Sequence, residues 1–334
     1  MLTALAAGAL LALVPWPRPW VEHAFSRGIF PVTSHLLAPW VGAAPFSVTL
    51  ALAAALPVAA LATLITATGR ARFGRRLFRY WLPWAFALSL LGFTLVWGLA
   101  YRRASLASLL GVPATAPTAA QVTAAQDRLL ATLAEAAASA APGPDDVAAA
   151  ARCVSAEVGR LTGVSVAVPQ RVKPLPAGTL LRSGFAGVTS PWLLEPHVDA
   201  GLPDVAKLAT ATHELTHAAG FAGEADTDAL AVLAGLRCGD PAVRYALALH
   251  ALEGLAQGMP RAQTRRLLTE LPQRARDDLS AAAAASARYR LPWLERAASA
   301  AYGTYLKGRG VSAGMADYGL ATTLVVQALA RGLR

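Results

Sequence analysis

Long uncharged apolar stretches occupy the first third of the chain. Residues 46–68 and 80–101 contain no charged side chain, and at a rise of about 1.5 Å per residue each can cross a hydrocarbon core of about 30 Å. The Trp and Tyr residues of the second stretch lie toward its ends, as is typical of a membrane–water interface. The pattern predicts two membrane spans.

The apolar run at residues 1–16 is shorter, and no Lys or Arg precedes it. Because a signal peptide needs a basic segment before its apolar run, we interpret this run as a short first span, with a cleaved signal as the alternative. Residues 17–44 mix aromatic side chains, single charges and prolines, which is typical of an interfacial helix. Residues 1–103 are therefore predicted to form a three-span membrane anchor.

From residue 104 onward the pattern changes to that of a folded domain. Apolar positions recur three and four apart over most of it, which predicts helices, and a break at 141–144 separates two of them. Residues 164–198 are instead rich in Val, Leu, Phe and Gly between short turns, which predicts two or three strands. The predicted fold is mainly α, with three transmembrane helices followed by an α+β domain, residues 104–334, that contains a small sheet.

Composition supports the membrane region, and the placement of charge predicts its orientation. The chain is 15% charged, and its net charge is +10. Residues 1–103 hold 9 Lys and Arg against 1 acidic residue, whereas residues 104–334 hold 21 against 19. Five arginines lie in the loop 69–79, which the positive-inside rule places in the cytoplasm. The C-terminal domain then lies on the extracytoplasmic side, and its near-neutral charge disfavours nucleic acid as a partner.

Cys153 and Cys238 are the two cysteines, and their spacing matches neither a C-x-x-C motif nor a disulfide scaffold. We interpret both as small buried side chains. A single bridge between them is the alternative if the domain is extracytoplasmic.

The candidate chemistry lies in residues 213–228, HELTHAAGFAGEADTD. His213 and His217 are four residues apart, so on a helix their imidazoles lie on one face and can chelate one zinc ion. Glu214 follows the first histidine and can act as general base toward a water at the metal. A hydrolytic zinc site needs a third protein ligand and one open position.

The residues that follow supply the third ligand. Gly220 and Gly223 permit a tight turn, so a second helix can fold back onto the first. We predict Glu224 as the third ligand and Asp228, one turn later, as the carboxylate that orients a ligand histidine. Asp226 points to another face and is predicted to be solvated. This E-x-x-x-D spacing resembles that of gluzincin metallopeptidases, whose connection between motif and glutamate is usually longer.

A peptidase of this kind also needs a donor to the developing oxyanion. Five downstream side chains are candidates, each with an ordinary core or surface position as the alternative: Tyr245, His250, Tyr302, Tyr305 and Tyr318. We retain Tyr245 and Tyr305 as predicted oxyanion or substrate contacts, together with Glu195 from the strand region. Glu195 and its neighbour His197 have a structural role as the alternative.

Several stretches together resemble a bacterial membrane family labelled domain of unknown function 3810: VEHAFSRGIFPVTSHLL, LVWGLAYRR, VKPLPAGTLLRSGFAGVTSPWLLEPHVD, HELTHAAGFAGEADTDALA and TYLKGRGVSAGMADYG. The resemblance covers nearly the whole chain. It implies three N-terminal membrane spans followed by a gluzincin-like domain, and it supports His213, Glu214, His217 and Glu224 as the metal and catalytic set. The family usually has Asn where Asp228 stands, so the need for a charge there is open.

We therefore predict a membrane-anchored, zinc-dependent metallopeptidase in the bacterial inner membrane, with zinc as cofactor and a peptide or protein as substrate. The alternative is a non-catalytic membrane sensor or scaffold that keeps a structural zinc site. Such a site has little need for Glu214, and structural zinc sites favour cysteine ligands.

Overall fold

The computed structural model of the protein describes residues 16–66, 74, 79, 82–138, 141–308 and 318–332. Within these ranges the chain is mainly helical and contains one small sheet, as the sequence predicts. The predicted first span and the predicted basic loop lie outside the described residues, apart from Trp16, Gly74 and Arg79.

Three helices form the described part of the predicted anchor: α1 Arg18–Ala43, α2 Val48–Thr66 and α3 Leu82–Val96. In this part of the chain no single helix is both long and apolar enough to cross a membrane. By length and composition, α1 and residues 48–59 of α2 meet that requirement together, with a bend of 87° between them. The bent pair is weak evidence for a membrane protein, and a multi-pass arrangement stays a prediction.

α1 and α3 expose some apolar side chains and pack others against the rest of the protein, whereas most described side chains of α2 are exposed. Trp40, Val58 and Phe86 are 80%, 65% and 65% exposed. Phe25 and Phe30 of α1, by contrast, are buried in the same hydrophobic core as the C-terminal helices. The interfacial helix expected over 17–44 stays a prediction, and the structure adds that one face of α1 is built into the core.

Packing also continues across the predicted domain boundary at residue 103. A 3₁₀ turn, Gly98–Arg102, follows α3, and Leu99 and Ala100 within it belong to the main core. The carboxylate of Glu22 in α1 accepts a hydrogen bond of 3.0 Å from the backbone N–H of Ala104. The N-terminal helices and the C-terminal region therefore share one core.

Three helices precede the sheet: α4 Leu106–Leu110, α5 Ala119–Ala136 and α6 Pro144–Thr162. Thr118 and Gln121 form a capping box at the start of α5, which satisfies two backbone N–H groups. Proline at the first position of α6 has the fixed φ that a helix start requires. The break between α5 and α6 lies where the sequence predicts it.

A three-stranded sheet follows: β1 Lys173–Leu175, β2 Gly187–Ser190 and β3 Glu195–Asp199. The strand order is β1-β3-β2, with β3 parallel to β1 and antiparallel to β2. All five residues of β3 are buried, so its polar side chains need partners inside the protein. The prediction of two or three strands within residues 164–198 is confirmed.

Seven helices complete the described chain: α7 Asp204–Ala218, α8 Glu224–Leu236, α9 Pro241–Gln257, α10 Arg261–Glu270, α11 Gln273–Tyr289, α12 Pro292–Gly308 and α13 Tyr318–Ala330. α7 packs against β2, β3, α6, α8 and α9, and α8 packs against α6, α9 and α13. Because α8 has neighbours on most sides, it is apolar around most of its circumference, and Leu230 and Leu233 are fully buried. The segment 213–228 therefore lies at the centre of the fold.

A disulfide joins Cys153 of α6 to Cys238, two residues after the end of α8, with a Cα–Cα distance of 5.5 Å. The interpretation of both cysteines as free buried thiols is wrong, and the bridge is formed instead. Sequence spacing could not show it, because 85 residues separate the two positions. The bridge ties α8, which begins with Glu224, to α6.

Candidate metal centre

The two histidines of the HELTH segment lie on one face of α7. His217 is buried and His213 is partly buried, and their Nε2 atoms are 3.2 Å apart. α7 ends at Ala218, and Gly220 follows with a φ of +92°. A Cβ at Gly220 would lie 2.6 Å from the ring of Phe30, so this turn requires glycine both for its backbone and for the approach of α1.

The turn brings Glu224, the first residue of α8, back to the two imidazoles. Its Oε2 lies 3.3 Å from Nε2 of His213, and its Oε1 lies 3.5 Å from Nε2 of His217. One donor atom from each of the three residues lies within 4.8 Å of the others. Burial opposes ionisation of Glu224, but the adjacent histidines outweigh it and hold the pKa of the carboxyl well below its usual range.

The other ring nitrogens of the histidines are engaged elsewhere. Nδ1 of His213 lies 3.3 Å from Oδ1 of Asp228, and Nδ1 of His217 lies 2.7 Å from the carbonyl oxygen of Phe221. The Thr227 hydroxyl donates to the same carbonyl. Because these oxygens accept hydrogen bonds, each Nδ1 carries a proton, and each Nε2 is directed toward the other donors.

The three donors fit a zinc ion. Zinc lies 2.0–2.1 Å from its ligands in tetrahedral sites, which places ligand atoms about 3.3–3.4 Å apart. The two Nε2 atoms are 3.2 Å apart, and they lie 3.3 and 3.5 Å from different oxygens of Glu224. The chemistry of the donor set, two imidazoles and a carboxylate, is that of hydrolytic zinc sites.

Glu214 lines the same cavity as the three donors but is not one of them. Burial raises the pKa of its carboxyl, although the two histidines oppose this shift. The Thr189 hydroxyl on β2 lies 2.8 Å from Oε2 of Glu214. A Cβ at Gly187 would lie 2.7 Å from Cγ of Glu214 and 2.9 Å from the His197 carbonyl, so β2 approaches Glu214 this closely only with glycine at this position.

Asp228 contacts two histidines through one oxygen. Besides His213, its Oδ1 lies 2.7 Å from Nε2 of His250 on α9. Burial disfavours the ionised form of Asp228, but the histidines outweigh it and hold the pKa of the carboxyl far below its usual range. The structure thus places Asp228 beside a ligand histidine as predicted. It adds His250, which no local spacing relates to the motif.

Two tyrosines of α12 reach the donor cluster. The Tyr302 hydroxyl donates to Oε1 of Glu224, and the Tyr305 ring stacks on that of Tyr302 with centroids 6.1 Å apart. Tyr305 therefore lies at the site, as predicted, and Tyr302 lies closer to the donors. Tyr318 starts α13, and its side chain lies outside the described residues.

Tyr245 lies elsewhere, and its prediction as an oxyanion contact is wrong. Its ring is fully buried in the core, and its hydroxyl donates to Asp278 at 2.7 Å. Asp226 also differs from expectation. It is half-buried rather than solvated, and its charge favours the protonated form of Arg103, whose pKa burial lowers to about 10.

Glu195 also lies away from the donor cluster, at the start of α2. It is fully buried, and its carboxylate accepts hydrogen bonds from the backbone N–H groups of Val48 and Thr49 at 2.9 and 2.7 Å. The Ser47 hydroxyl lies between Glu195 and Nε2 of His197. Glu195 thus supplies acceptors that the first N–H groups of a helix need. Its prediction as a substrate contact is wrong, and the structural alternative applies.

A cavity of about 560 Å³ opens over the donor cluster. Its floor is formed by six ionisable side chains: His213, Glu214, His217, Glu224, Asp228 and His250. Its walls come from β2, from α12 and from the end of α3 with the turn after it. The volume lies within the range typical of small-molecule and peptide side-chain sites.

The fold and the site define a mainly helical protein with a small sheet and a His-His-Glu donor cluster at the meeting of α7 and α8. The chain belongs to the family described as Protein of unknown function (DUF3810), whose model matches residues 25–326. The family predicted from the sequence is thereby confirmed. Searches of curated proteins and of solved structures returned no significant match.

Proposed function

We propose that this protein is a membrane-anchored, zinc-dependent peptidase. The observation that carries the proposal is the donor geometry: the Nε2 atoms of His213 and His217 lie 3.2 Å apart and within 3.5 Å of the Glu224 carboxylate, beside a separate buried carboxylate, Glu214. His213, His217 and Glu224 would hold the metal. Zinc bound there would polarise a substrate carbonyl and lower the pKa of a coordinated water.

Glu214 is the proposed general base. In peptide hydrolysis it takes a proton from the attacking water and delivers it to the leaving amine nitrogen as the C–N bond breaks. Its buried position, which raises the pKa of the carboxyl, suits a group that must accept and release a proton near neutral pH. The Thr189 contact at 2.8 Å fixes the orientation of the carboxylate.

The position of β2 supports a peptide as substrate. β2 lies at the edge of the sheet, and Gly187, Val188 and Thr189 line the cavity next to Glu214. An extended peptide can add to such an edge as a further strand through main-chain hydrogen bonds, with alternate side chains entering pockets. The cavity and the buried Glu214 favour catalysis over the alternative of a structural zinc site, which needs neither.

Tyr302 is the proposed donor to the oxyanion, and Tyr305 supports its ring. The Tyr302 hydroxyl already reaches an oxygen of Glu224, so a small shift brings it to a carbonyl oxygen bound beside the metal. Tyr302→Phe removes this donor and should lower kcat about 10²–10³-fold with little change in zinc content. Equal kcat in the variant and the wild type would assign the donor to another residue.

Two observations support an extracytoplasmic, membrane-bound placement. The bent pair of α1 and α2 has the length and apolar composition of a span. The Cys153–Cys238 bridge lies in the part of the chain that we predict to be outside, and disulfides persist in oxidising compartments.

The experiment for this proposal compares wild type with Glu214→Gln, both purified as the full chain in detergent. We expect the variant to keep its zinc and to lose about 10²–10⁴-fold in peptide hydrolysis, because glutamine has the same shape but cannot accept the proton. Hydrolysis at the wild-type rate by the variant would disprove the mechanism. Glu214→Gln should therefore bind a peptide substrate without hydrolysing it.

A further inference from the structure

The cavity over the donor cluster has apolar walls. Its aromatic and aliphatic lining residues include Phe93, Trp97, Leu180, Phe185, Val188 and Pro191. The described charged residues that line it are those of the floor. A substrate side chain that enters this cavity therefore contacts aromatic rings and aliphatic groups, and it gains free energy by leaving water in proportion to its apolar area.

Part of this wall belongs to a helix, α3, that also carries exposed apolar side chains nearer its start. Phe93 of α3 and Trp97, which follows α3, line the cavity, and the Trp97 ring lies 5.5 Å from that of His217. On the same helix Phe86 and Leu88 are 65% and 61% exposed. From Leu88 to Phe93 is five residues, or about 7–8 Å along a helix. The cavity thus begins within two turns of a surface suited to lipid.

The sheet is fastened to α3 at this point. The indole N–H of Trp192, which follows β2, donates to the carbonyl oxygen of Ser89 at 3.1 Å, and its ring lies 5.9 Å from that of Phe93. Glu195 of the central strand β3 accepts hydrogen bonds from the first N–H groups of α2. Both contacts join the sheet to the N-terminal helices.

We propose that the substrate is a polypeptide cut beside a large apolar residue close to where the polypeptide leaves the bilayer. This inference rests on the peptidase function proposed above and adds the substrate class. The apolar side chain next to the cut bond enters the cavity and contacts Phe93, Phe185 and Val188, which line it. The reaction consumes one water, whose hydroxyl goes to the acyl carbon and whose proton goes to the amine.

The first experiment measures side-chain preference. The full chain in phosphatidylethanolamine–phosphatidylglycerol vesicles is given lipid-anchored peptides that differ only in having Phe, Leu, Ser or Asp at one position. We expect cleavage beside Phe or Leu with kcat/KM at least about tenfold above that for Ser, the discrimination an apolar pocket provides. Val188→Ser and Phe93→Ala should reduce this ratio severalfold, whereas Leu88→Ala, on the exposed face of α3, should leave it unchanged.

The second experiment measures distance from the bilayer. The same Phe peptide is anchored through a spacer of about 4 or about 20 polar residues, the longer of which reaches about 25 Å on average. We expect faster cleavage with the short spacer. Equal rates for the two spacers, or no preference for Phe and Leu over Ser, would overturn the proposed substrate class.

A binding measurement separates this inference from the proposed function. The dissociation constants of the Phe and Ser peptides are determined with the zinc-loaded Glu214→Gln variant in the same vesicles. If the wild type cuts no peptide but the variant binds the Phe peptide about tenfold more tightly, hydrolysis is wrong and the apolar site stands. If both peptides bind equally, the apolar site is wrong whatever the wild type cuts.

Discussion

At the residue scale, hydrogen bonds to the Nδ1 atoms of His213 and His217 fix the orientation of the donor cluster. Nδ1 of His217 contacts the Phe221 carbonyl and the Thr227 hydroxyl, and Nδ1 of His213 contacts Asp228, which His250 contacts in turn. Such contacts orient a histidine ring so that its Nε2 can face a metal. Binding strength should therefore depend on residues that do not touch the metal.

The Asp228 position offers a direct test of this dependence. Asp228→Ala removes the acceptor for Nδ1 of His213 and should weaken zinc binding about 10–100-fold. Asp228→Asn keeps an acceptor oxygen and should bind zinc within a few-fold of wild type. Competition with a chelator of known affinity measures both. An alanine variant with wild-type affinity would contradict this role for Asp228.

The sequence predicts the donor residues because they are local. His213, Glu214, His217 and Glu224 lie within twelve positions on two helices and a short turn, so helical geometry alone brings them together. It does not predict Thr189 of β2, and it names His250 of α9 and Tyr302 of α12 only among five candidate oxyanion contacts, without placing them beside Asp228 and Glu224. Nor does it show that Tyr245 points into the core, because spacing cannot say which face of α9 is covered.

At the scale of elements, α8 is held in place from several sides. The turn at Gly220 folds it onto α7, α13 covers its outer side, and the disulfide joins its C-terminal end to α6. The pattern of apolar positions predicts these helices well because those positions repeat regularly. The sequence pattern gives Glu195 the wrong role. Its carboxylate binds the start of a helix about 147 residues away, and no nearby residue in the sequence indicates such a contact.

The disulfide should contribute measurably to stability. Cys153→Ser opens a loop of 85 residues and should lower the free energy of unfolding by about 2–5 kcal/mol, because the unfolded chain regains freedom. Denaturant titration of the full chain in detergent, followed by circular dichroism, measures the change. Cys153→Ser/Cys238→Ser is the control and should match the single variant. Wild type treated with reductant should behave in the same way, and an unchanged midpoint in all three would rule out a stabilising bridge.

At the scale of the whole molecule, the positively charged N-terminal region and the near-neutral C-terminal region share one hydrophobic core. The net charge of +10 is concentrated before residue 104, mostly in the loop 69–79, and the described N-terminal region is joined to the C-terminal region by a common core. The sequence predicts where apolar helices occur. It could not predict that one face of α1 is built into the core, because single apolar residues look alike whether they face lipid or protein.

The orientation predicted from charge can be tested with fusions. Alkaline phosphatase is active only outside the cytoplasm, so a fusion of it after Arg334 should be active. A fluorescent protein fused at the same position should not fluoresce, because export as an unfolded chain prevents its maturation. The paired fusions within the basic loop, after Gly74, should give the opposite result, because the five arginines of residues 69–79 favour the cytoplasm. The reverse pattern would place the donor cluster inside the cell.

Metal analysis of wild type beside His213→Ala, both purified as the full chain without added metal, tests the central claim most directly. We predict about one zinc per chain in wild type and a large loss in the variant, because a tetrahedral site that keeps one open position needs all three protein ligands. The fold of the variant is checked by its circular dichroism spectrum. Wild type without zinc, or equal zinc in both proteins, would contradict the assignment of His213, His217 and Glu224 as a metal site.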